Sequence, residues 1–160
     1  MIFMLTQIQK RVLKYVAEIL NKNKIPFQIS GGLAAMIYGS KRPLNDIDID
    51  VCRNDIKKVE NLFREYLIEP FFHLRDKNFD IWIMTFDIDG IRVDVTQAEK
   101  TYFVGKEGKK IRMDAHPENA KIMNIEGINV PVENKEDLIA YKKIINRKVD
   151  LIDIKQIEES

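Results

Sequence analysis

The chain has 160 residues, 45% hydrophobic and 32% charged, the profile of one soluble globular domain whose core is large enough to fold without staples. Its 26 basic and 25 acidic side chains leave a formal net charge of +1, so bulk charge argues for neither a nucleic-acid nor a membrane partner. A single Cys52 excludes an internal disulfide, and with only His73 and His116 for company it argues against a Cys/His zinc site.

The apolar start, Met1 to Leu5, lacks the basic leader and long hydrophobic run of a signal peptide. No stretch reaches the ~18 uninterrupted apolar residues of a membrane span, and the expected location is the cytoplasm. Thr6-x-x-Gln9 reads as a capping box, followed by Leu5, Ile8, Val12, Val16 and Ile19 at helical spacing and an end near residues 21–23. Phe27 to Ser30 is a short strand. Gly31-Gly32 opens a helix over Leu33 to Tyr38, which Gly39 stops. A loop over residues 40–45 leads to a strand over Asp46 to Cys52. Asn54 is placed to cap the next helix, with Ile56, Val59, Phe63 and Tyr66 on one face.

The middle is strand-rich. Phe79 to Ile88 is apolar on both faces, and Asp89-Gly90 turns it into a return strand over Ile91 to Thr96. Phe71, Phe72 and Trp82 read as core, His73 as a strand-edge residue, and Thr101 to His116 as a polar loop with an edge strand. A second hairpin runs from Asn119 to Val132 around Glu126-Gly127. Asn134 then caps a helix carrying Leu138, Ile139, Tyr141, Lys142 and Ile145, and a final helix carries Leu151, Ile154 and Ile157. The expected fold class is α+β: a mixed sheet flanked by helices over residues 1–132, then C-terminal helices over 134–160, in a single domain.

The chemistry sits in "DIDID". In a strand, residues i and i+2 share a face about 6.6 Å apart, so Asp46, Asp48 and Asp50 point one way while Ile47, Ile49 and Val51 point into the core. Carboxylates this close repel and raise one another's pKa, and a hard divalent cation removes that repulsion. An EF-hand needs Gly and Glu where Val51 and Lys57 stand, which excludes it. A haloacid dehalogenase-type phosphatase matches Asp48-Ile49-Asp50-Val51, but polar residues 41–45 stand where its hydrophobic strand should be. A glycine pair between strand and helix leaves backbone N–H groups to receive phosphate. No Gly-Lys-Ser/Thr or G-x-G-x-x-G pattern is present.

The stretch "GGLAAMIYGSKRPLNDIDI" resembles the signature of the DNA polymerase beta-type nucleotidyltransferase superfamily: hydrophobic-Gly-[Gly/Ser], a spacer, then Asp-hydrophobic-Asp-hydrophobic. The nearer likeness is to its small branches: minimal nucleotidyltransferases, lincosamide-type adenylyltransferases and abortive-infection toxins. Arg42 matches an Arg those sequences carry before Asp-x-Asp. The late "EDLIAYKKIINRKVDLIDI" resembles their C-terminal helical motif at Lys142, Arg147, Asp150 and Asp153. The resemblance implies a third carboxylate on a later strand, for which Asp94 in "GIRVDVTQ" is favoured over Asp87 and Asp89. It implies metal ligation and catalysis by Asp46, Asp48 and Asp94, and nucleotide binding by Ser30, Gly31, Gly32, Arg42 and Lys142. Asp48/Asp50 is the alternative register, with Asp50 otherwise standing behind the ligands.

The activity this resemblance implies is Mg²⁺-dependent transfer of AMP from ATP, or of a nucleoside monophosphate from another triphosphate, to a hydroxyl acceptor with release of pyrophosphate. Two ions are expected, with Mn²⁺ as a substitute. The acceptor is a small molecule, an RNA end or a protein. The competing reading is a weak or inactive nucleotide-binding module acting as one half of a toxin–antitoxin pair.

Overall fold

The computed structural model describes residues 5–160, so the apolar start over residues 1–4 lies outside the described residues. Helix α1 (Gln7–Lys22) begins with the expected box: Thr6 Oγ1 accepts from Gln9 N at 3.0 Å, and Gln9 Oε1 accepts from Thr6 N at 2.9 Å. Its buried stripe is Val12, Leu13, Val16, Ala17 and Leu20, with Gln9 at its edge. Ile8, assigned to that face from its spacing, is 42% exposed. The true stripe runs one residue further round the helix, where the two leucines supply the most apolar area.

Among the described residues, nine strands form one sheet: β1 (Phe27–Ser30), β2 (Asp46–Val51), β3 (Leu67–Arg75), β4 (Phe79–Ile88), β5 (Ile91–Gln97), β6 (Tyr102–Val104), β7 (Lys110–Arg112), β8 (Lys121–Ile125) and β9 (Ile128–Val132). The spatial order is β7-β6-β4-β5-β2-β1-β9-β8, with β3 paired to β4 off this path. The sheet is mixed: β1 runs antiparallel to β2, whereas β2–β5 and β1–β9 are parallel. Helix α2 (Gly31–Tyr38) follows β1, α3 (Ile56–Leu62) follows β2, and α4 (Lys135–Ile145) and α5 (Lys148–Glu159) close the chain. Ile29, Ile47, Ile49, Val93, Val95, Val130 and Val132 form the sheet's share of a core completed by α1, α2 and α3. Leu33, Ala34 and Ala35 are fully enclosed, which is why α2 is apolar all round.

Both hairpins turn as expected, with positive φ at Asp89-Gly90 and at Glu126-Gly127, the pattern of two-residue turns matched to strand twist. The segment over residues 101–116 forms the short strands β6 and β7, the latter at the sheet edge.

Some expectations fail locally. Asn54 does not cap α3; it lies within a short 3₁₀ turn over residues 53–55. Cys52 falls just after β2, half-buried beside Glu118. Burial, then Glu99 and Glu118, pushes its thiol up to about 11, so it carries no reactive thiolate. Strand β3 gives no clean sequence signal, because Pro70 lies within it and its pairing with β4 shifts register twice, as edge strands tolerate. Phe72 and Trp82 are not core, whereas Phe71 is partly buried and packs against it. Trp82 stacks between Phe71 (5.5 Å) and His73 (4.4 Å) on a half-exposed face, and Phe72 is exposed. His73 does sit on edge strand β3, its Nε2 2.5 Å from Asp80 Oδ1.

Candidate active site

Strand β2 alternates as its sequence dictates: Ile47, Ile49 and Val51 are buried, and Asp46, Asp48 and Asp50 face a cleft. The parallel pairing with β5 sets Asp48 directly opposite Asp94, Asp46 opposite Arg92 and Asp50 opposite Thr96. Ser30 on β1 pairs with Asp48 from the other side, and Thr85 on β4 pairs with Asp94. One row of the sheet thus reads Ser30, Asp48, Asp94, Thr85. One carboxylate oxygen from each of Asp46, Asp48 and Asp94 lies within 4.8 Å of the other two.

This crowding has an electrostatic signature. Burial, then Asp94, raises Asp46, with Arg92 pulling the other way. Burial raises Asp48 well above the usual carboxylate range, reinforced by Asp46, Asp94 and Asp50, against the Gly32 backbone N–H. Clustered carboxylate oxygens suit a hard divalent cation, so the donor set fits Mg²⁺ or Mn²⁺. Asp94 is held in place by Thr85 Oγ1, donating at 2.6 Å to Oδ1, and by Arg92 Nε at 3.0 Å.

Asp50 lies outside that cluster. Gln28 Nε2 donates to it at 2.9 Å and Ser30 Oγ at 3.4 Å, yet burial outweighs both bonds and carries it to about 6. The geometry therefore groups the carboxylates in the Asp46/Asp48 register. Ser30 faces the cleft, but its hydroxyl is committed to Asp50 and does not cap α2.

Gly31 is where β1 turns into α2, and its φ of +58° is the left-handed region that favours glycine. A Cβ there would lie 2.9 Å from Asp48 Cγ and closer still to Oδ2. The glycine lets the backbone press against the carboxylate, placing the first turn of α2 beside the carboxylate cluster. Gly32 lines the same cleft.

Arg42 and Lys142 reach the cleft through a network that sequence spacing did not show. Asp153 is fully buried and accepts from Ser40 Oγ (2.7 Å), Arg42 Nε (2.7 Å), Arg42 Nη2 (2.6 Å) and Lys142 Nζ (2.9 Å). Burial would raise its pKa, but the bonds from Arg42, Ser40 and Lys142 prevail and hold it at about 2. Lys142 also donates to Asp150 at 3.3 Å, and Arg147 Nε donates to Asp150 at 2.8 Å. The sequence left open whether Lys142, Asn146, Asp150 and Asp153 form one polar face, solvated or closing the cleft. They do not lie on one helix: Asn146 is left-handed (φ 59°) and separates α4 from α5. Lys142, Asp150 and Asp153 fold inward as a buried ionic group, and Asn146 stays exposed. Arg42, Lys142 and Arg147 against Asp150 and Asp153 leave one surplus positive charge. All three cations line the same cleft as Asp48, which has a volume of about 430 Å³.

Sequence reasoning missed Gln28, Tyr141 and Glu133 as cleft residues, and Thr85 as the buried partner of Asp94. Thr85 and Gln28 are visible only through strand register. Tyr141, stacked 4.7 Å from Phe103, reads in the sequence as a helix residue with no role at the cleft.

A Gly-Gly turn, an Asp-x-Asp strand and a parallel strand bearing a third Asp, closed by C-terminal helices, define a nucleotidyltransferase fold. The sequence pattern of the aminoglycoside-2″-adenylyltransferase family matches residues 12–157, and the chain belongs to that family of nucleotidyltransferases. Solved structures with this fold include a candidate nucleotidyltransferase from Thermotoga maritima, 20% identical, with TM-score 0.74 over 98% of this chain and 97% of that one. The lincosamide adenylyltransferase LnuA, solved with lincomycin bound, is 14% identical, with TM-score 0.64 over 96% of this chain and 98% of that one. ANT(2″)-Ia, in complex with adenylyl-2″-tobramycin, is 13% identical, with TM-score 0.58 over 92% and 86%. No curated protein matches the sequence. No helix among the described residues is long and apolar enough to cross a membrane.

Proposed function

We propose that the protein transfers AMP from ATP to a hydroxyl acceptor in a Mg²⁺-dependent reaction that releases pyrophosphate. The observation that carries this is the convergence of Asp46, Asp48 and Asp94 beside the Gly31-Gly32 turn. Asp46, Asp48 and Asp94 would hold the metal, with Mn²⁺ as a substitute. Divalent ions held there would supply Lewis-acid charge to the reacting phosphoryl group.

The protein's own groups do the rest. Gly31, Gly32 and Ser30 form the phosphate side of the cleft, and the surplus charge of Arg42, Lys142 and Arg147 offsets the triphosphate. Asp94, oriented by Thr85 and Arg92, faces the acceptor hydroxyl and takes up its proton or hands it to water. The acceptor oxygen bonds to the α-phosphorus as the α–β bridging bond breaks, and pyrophosphate leaves with the electron pair. This is catalysis by positioning and charge.

Antibiotics of the aminoglycoside and lincosamide classes are the first acceptors to try, followed by RNA ends and proteins, including a toxin–antitoxin partner. The test is incubation with α-labelled ATP and Mg²⁺ alongside tobramycin, lincomycin or a cell lysate, tracking label and pyrophosphate. Label should enter one fraction with wild-type protein and none with Asp48→Asn. The absence of both label transfer and pyrophosphate release above the Asp48→Asn background would defeat the proposal.

A further inference from the structure

Glu133 comes directly after β9 and, like Asp50, is a cleft acid outside both the carboxylate cluster and the ionic group around Asp153; unlike Asp50, its side chain has no bond from Gln28 or Ser30. Its backbone is pinned on both sides: its N–H donates to Ile29 O at 3.0 Å, and its carbonyl accepts from Tyr38 Oη at 2.7 Å. Its side chain lines the cleft with Ser30, Asp48 and Asp50, and the residue is only 5% exposed. Among the described residues its Oε1 has no hydrogen-bond partner. Lys142, the cation acting on it, is already bonded to Asp150 and Asp153. A buried acceptor left unpaired is costly, so the arrangement calls for a donor brought by a ligand.

Place in the sheet identifies that ligand. Ile29 pairs with Val132, so the next residues, Ser30 and Glu133, continue the row that runs through Asp48 to Asp94. Asp94, where the acceptor belongs, is at one end. Glu133 is at the other, two strands beyond Asp48, or about 10 Å at the usual strand spacing. The glycine turn and the phosphates it would receive lie between. That end of the cleft does not suit phosphate oxygens, because Glu133 and Asp50 line it and Lys142 is already bonded to Asp150 and Asp153. The nucleoside sugar is the next part of the nucleotide, and it offers two adjacent hydroxyl donors to the unpaired Oε1 of Glu133.

We propose that Glu133 is a specificity-determining residue that accepts hydrogen bonds from the ribose hydroxyls of the nucleotide, selecting ribonucleotides over deoxynucleotides. This rests on the nucleotidyltransferase function proposed for the cleft. It adds a sugar-recognition role at a residue outside the glycine turn and the aspartate cluster.

The test needs no acceptor. Calorimetric titration with Mg²⁺ compares ATP, 2′-deoxyATP and 3′-deoxyATP on wild type, Glu133→Leu and Glu133→Gln. Wild type should favour ATP over 2′-deoxyATP by up to roughly tenfold, the value of one hydrogen bond. Glu133→Leu should bind all three at the weaker level, and Glu133→Gln, which keeps one acceptor oxygen, should fall between. A structural role would weaken all three nucleotides in parallel, and that outcome overturns the assignment. So does wild-type binding without sugar discrimination, or spermidine bound by the nucleotide-free wild type and lost in Glu133→Leu, which would make this an ammonium site. If Glu133→Leu does not fold, undiminished preference in Glu133→Gln overturns it equally. Wild type that binds none of the nucleotides would bring down the nucleotidyltransferase function as well.

Discussion

Replacing Gly31 by alanine separates the two jobs that glycine performs. The first is conformational: a φ of +58° costs an L-residue about 1–2 kcal/mol. The second is spatial, since the new Cβ would stand 2.9 Å from Asp48 Cγ, inside van der Waals contact. Asp48 cannot retreat into the core, because Ile47 and Ile49 fill it from the same strand. The carboxylate must therefore swing, adding about 1–3 kcal/mol of overpacking strain. The sum, ~2–5 kcal/mol, corresponds to a fall in Tm of roughly 4–20 °C for a chain of this size. Gly127→Ala is the control: φ there is +91°, but nothing lies within 4 Å of its added Cβ, so it carries the backbone cost alone. Thermal melts with and without Mg²⁺ and ATP give both readouts. Gly31→Ala should melt lower than Gly127→Ala and lose the ligand-induced rise, which Gly127→Ala keeps. Equal melting of the two variants, with the ligand response intact in Gly31→Ala, would refute the claim that this glycine seats Asp48.

Asp50→Asn should leave nucleotide transfer measurable, whereas Asp46→Asn and Asp48→Asn abolish it, because Asp50 bonds Gln28 and Ser30 outside the carboxylate cluster; equal loss at Asp48 and Asp50 with Asp46 dispensable would reverse that order. Since Asp50 titrates at about 6 in the fold, stability falls as pH rises from about 4 through 6, and Asp50→Asn should flatten that part of a denaturation-versus-pH curve. Asp153 has the opposite sign: held at about 2, it contributes roughly 2–3 kcal/mol above pH 4, lost as pH falls toward 2, so Asp153→Asn should flatten the acid limb. Lys142→Ala strips the buried Asp150 and Asp153 of a shared partner and should cost about 3–5 kcal/mol in urea denaturation, where an exposed lysine would cost almost nothing.

How much of the fold and the site was legible in the sequence depended on the range of the interaction. The period-two aspartates, the Gly-Gly turn, both hairpins and the α1 capping box depend on neighbours in the chain, and residue pattern reports them directly. The pairing of Asp48 with Asp94 is a long-range event set by a parallel crossover, and only the family resemblance pointed to Asp94. Thr85 and Gln28 owe their place to the same registers and carried no local mark. Strand β3 was missed because Pro70 and its bulged pairing break the alternation that marks a strand. The ionic group around Asp153 was half legible. Its spacing placed polar residues near one another, but charged side chains on C-terminal helices ordinarily read as solvated, and Arg42 and Ser40 arrive from the other half of the chain.

That last junction has a consequence for when the protein becomes competent during its synthesis. The aspartates of β2 leave the ribosome long before Asp153, which at about 5–20 residues per second trails Asp48 by roughly 5–20 s. Until α5 exists, Arg42 has no anchor and Lys142 lacks both carboxylates that hold it in place. A nascent chain would carry the anionic half of the cleft without its ordered cationic half, and could draw divalent ions well before it could grip a triphosphate. The cationic side of the cleft is therefore ordered only once α5 has docked, which ties the shape of the site to a segment synthesised about a hundred residues after its aspartates.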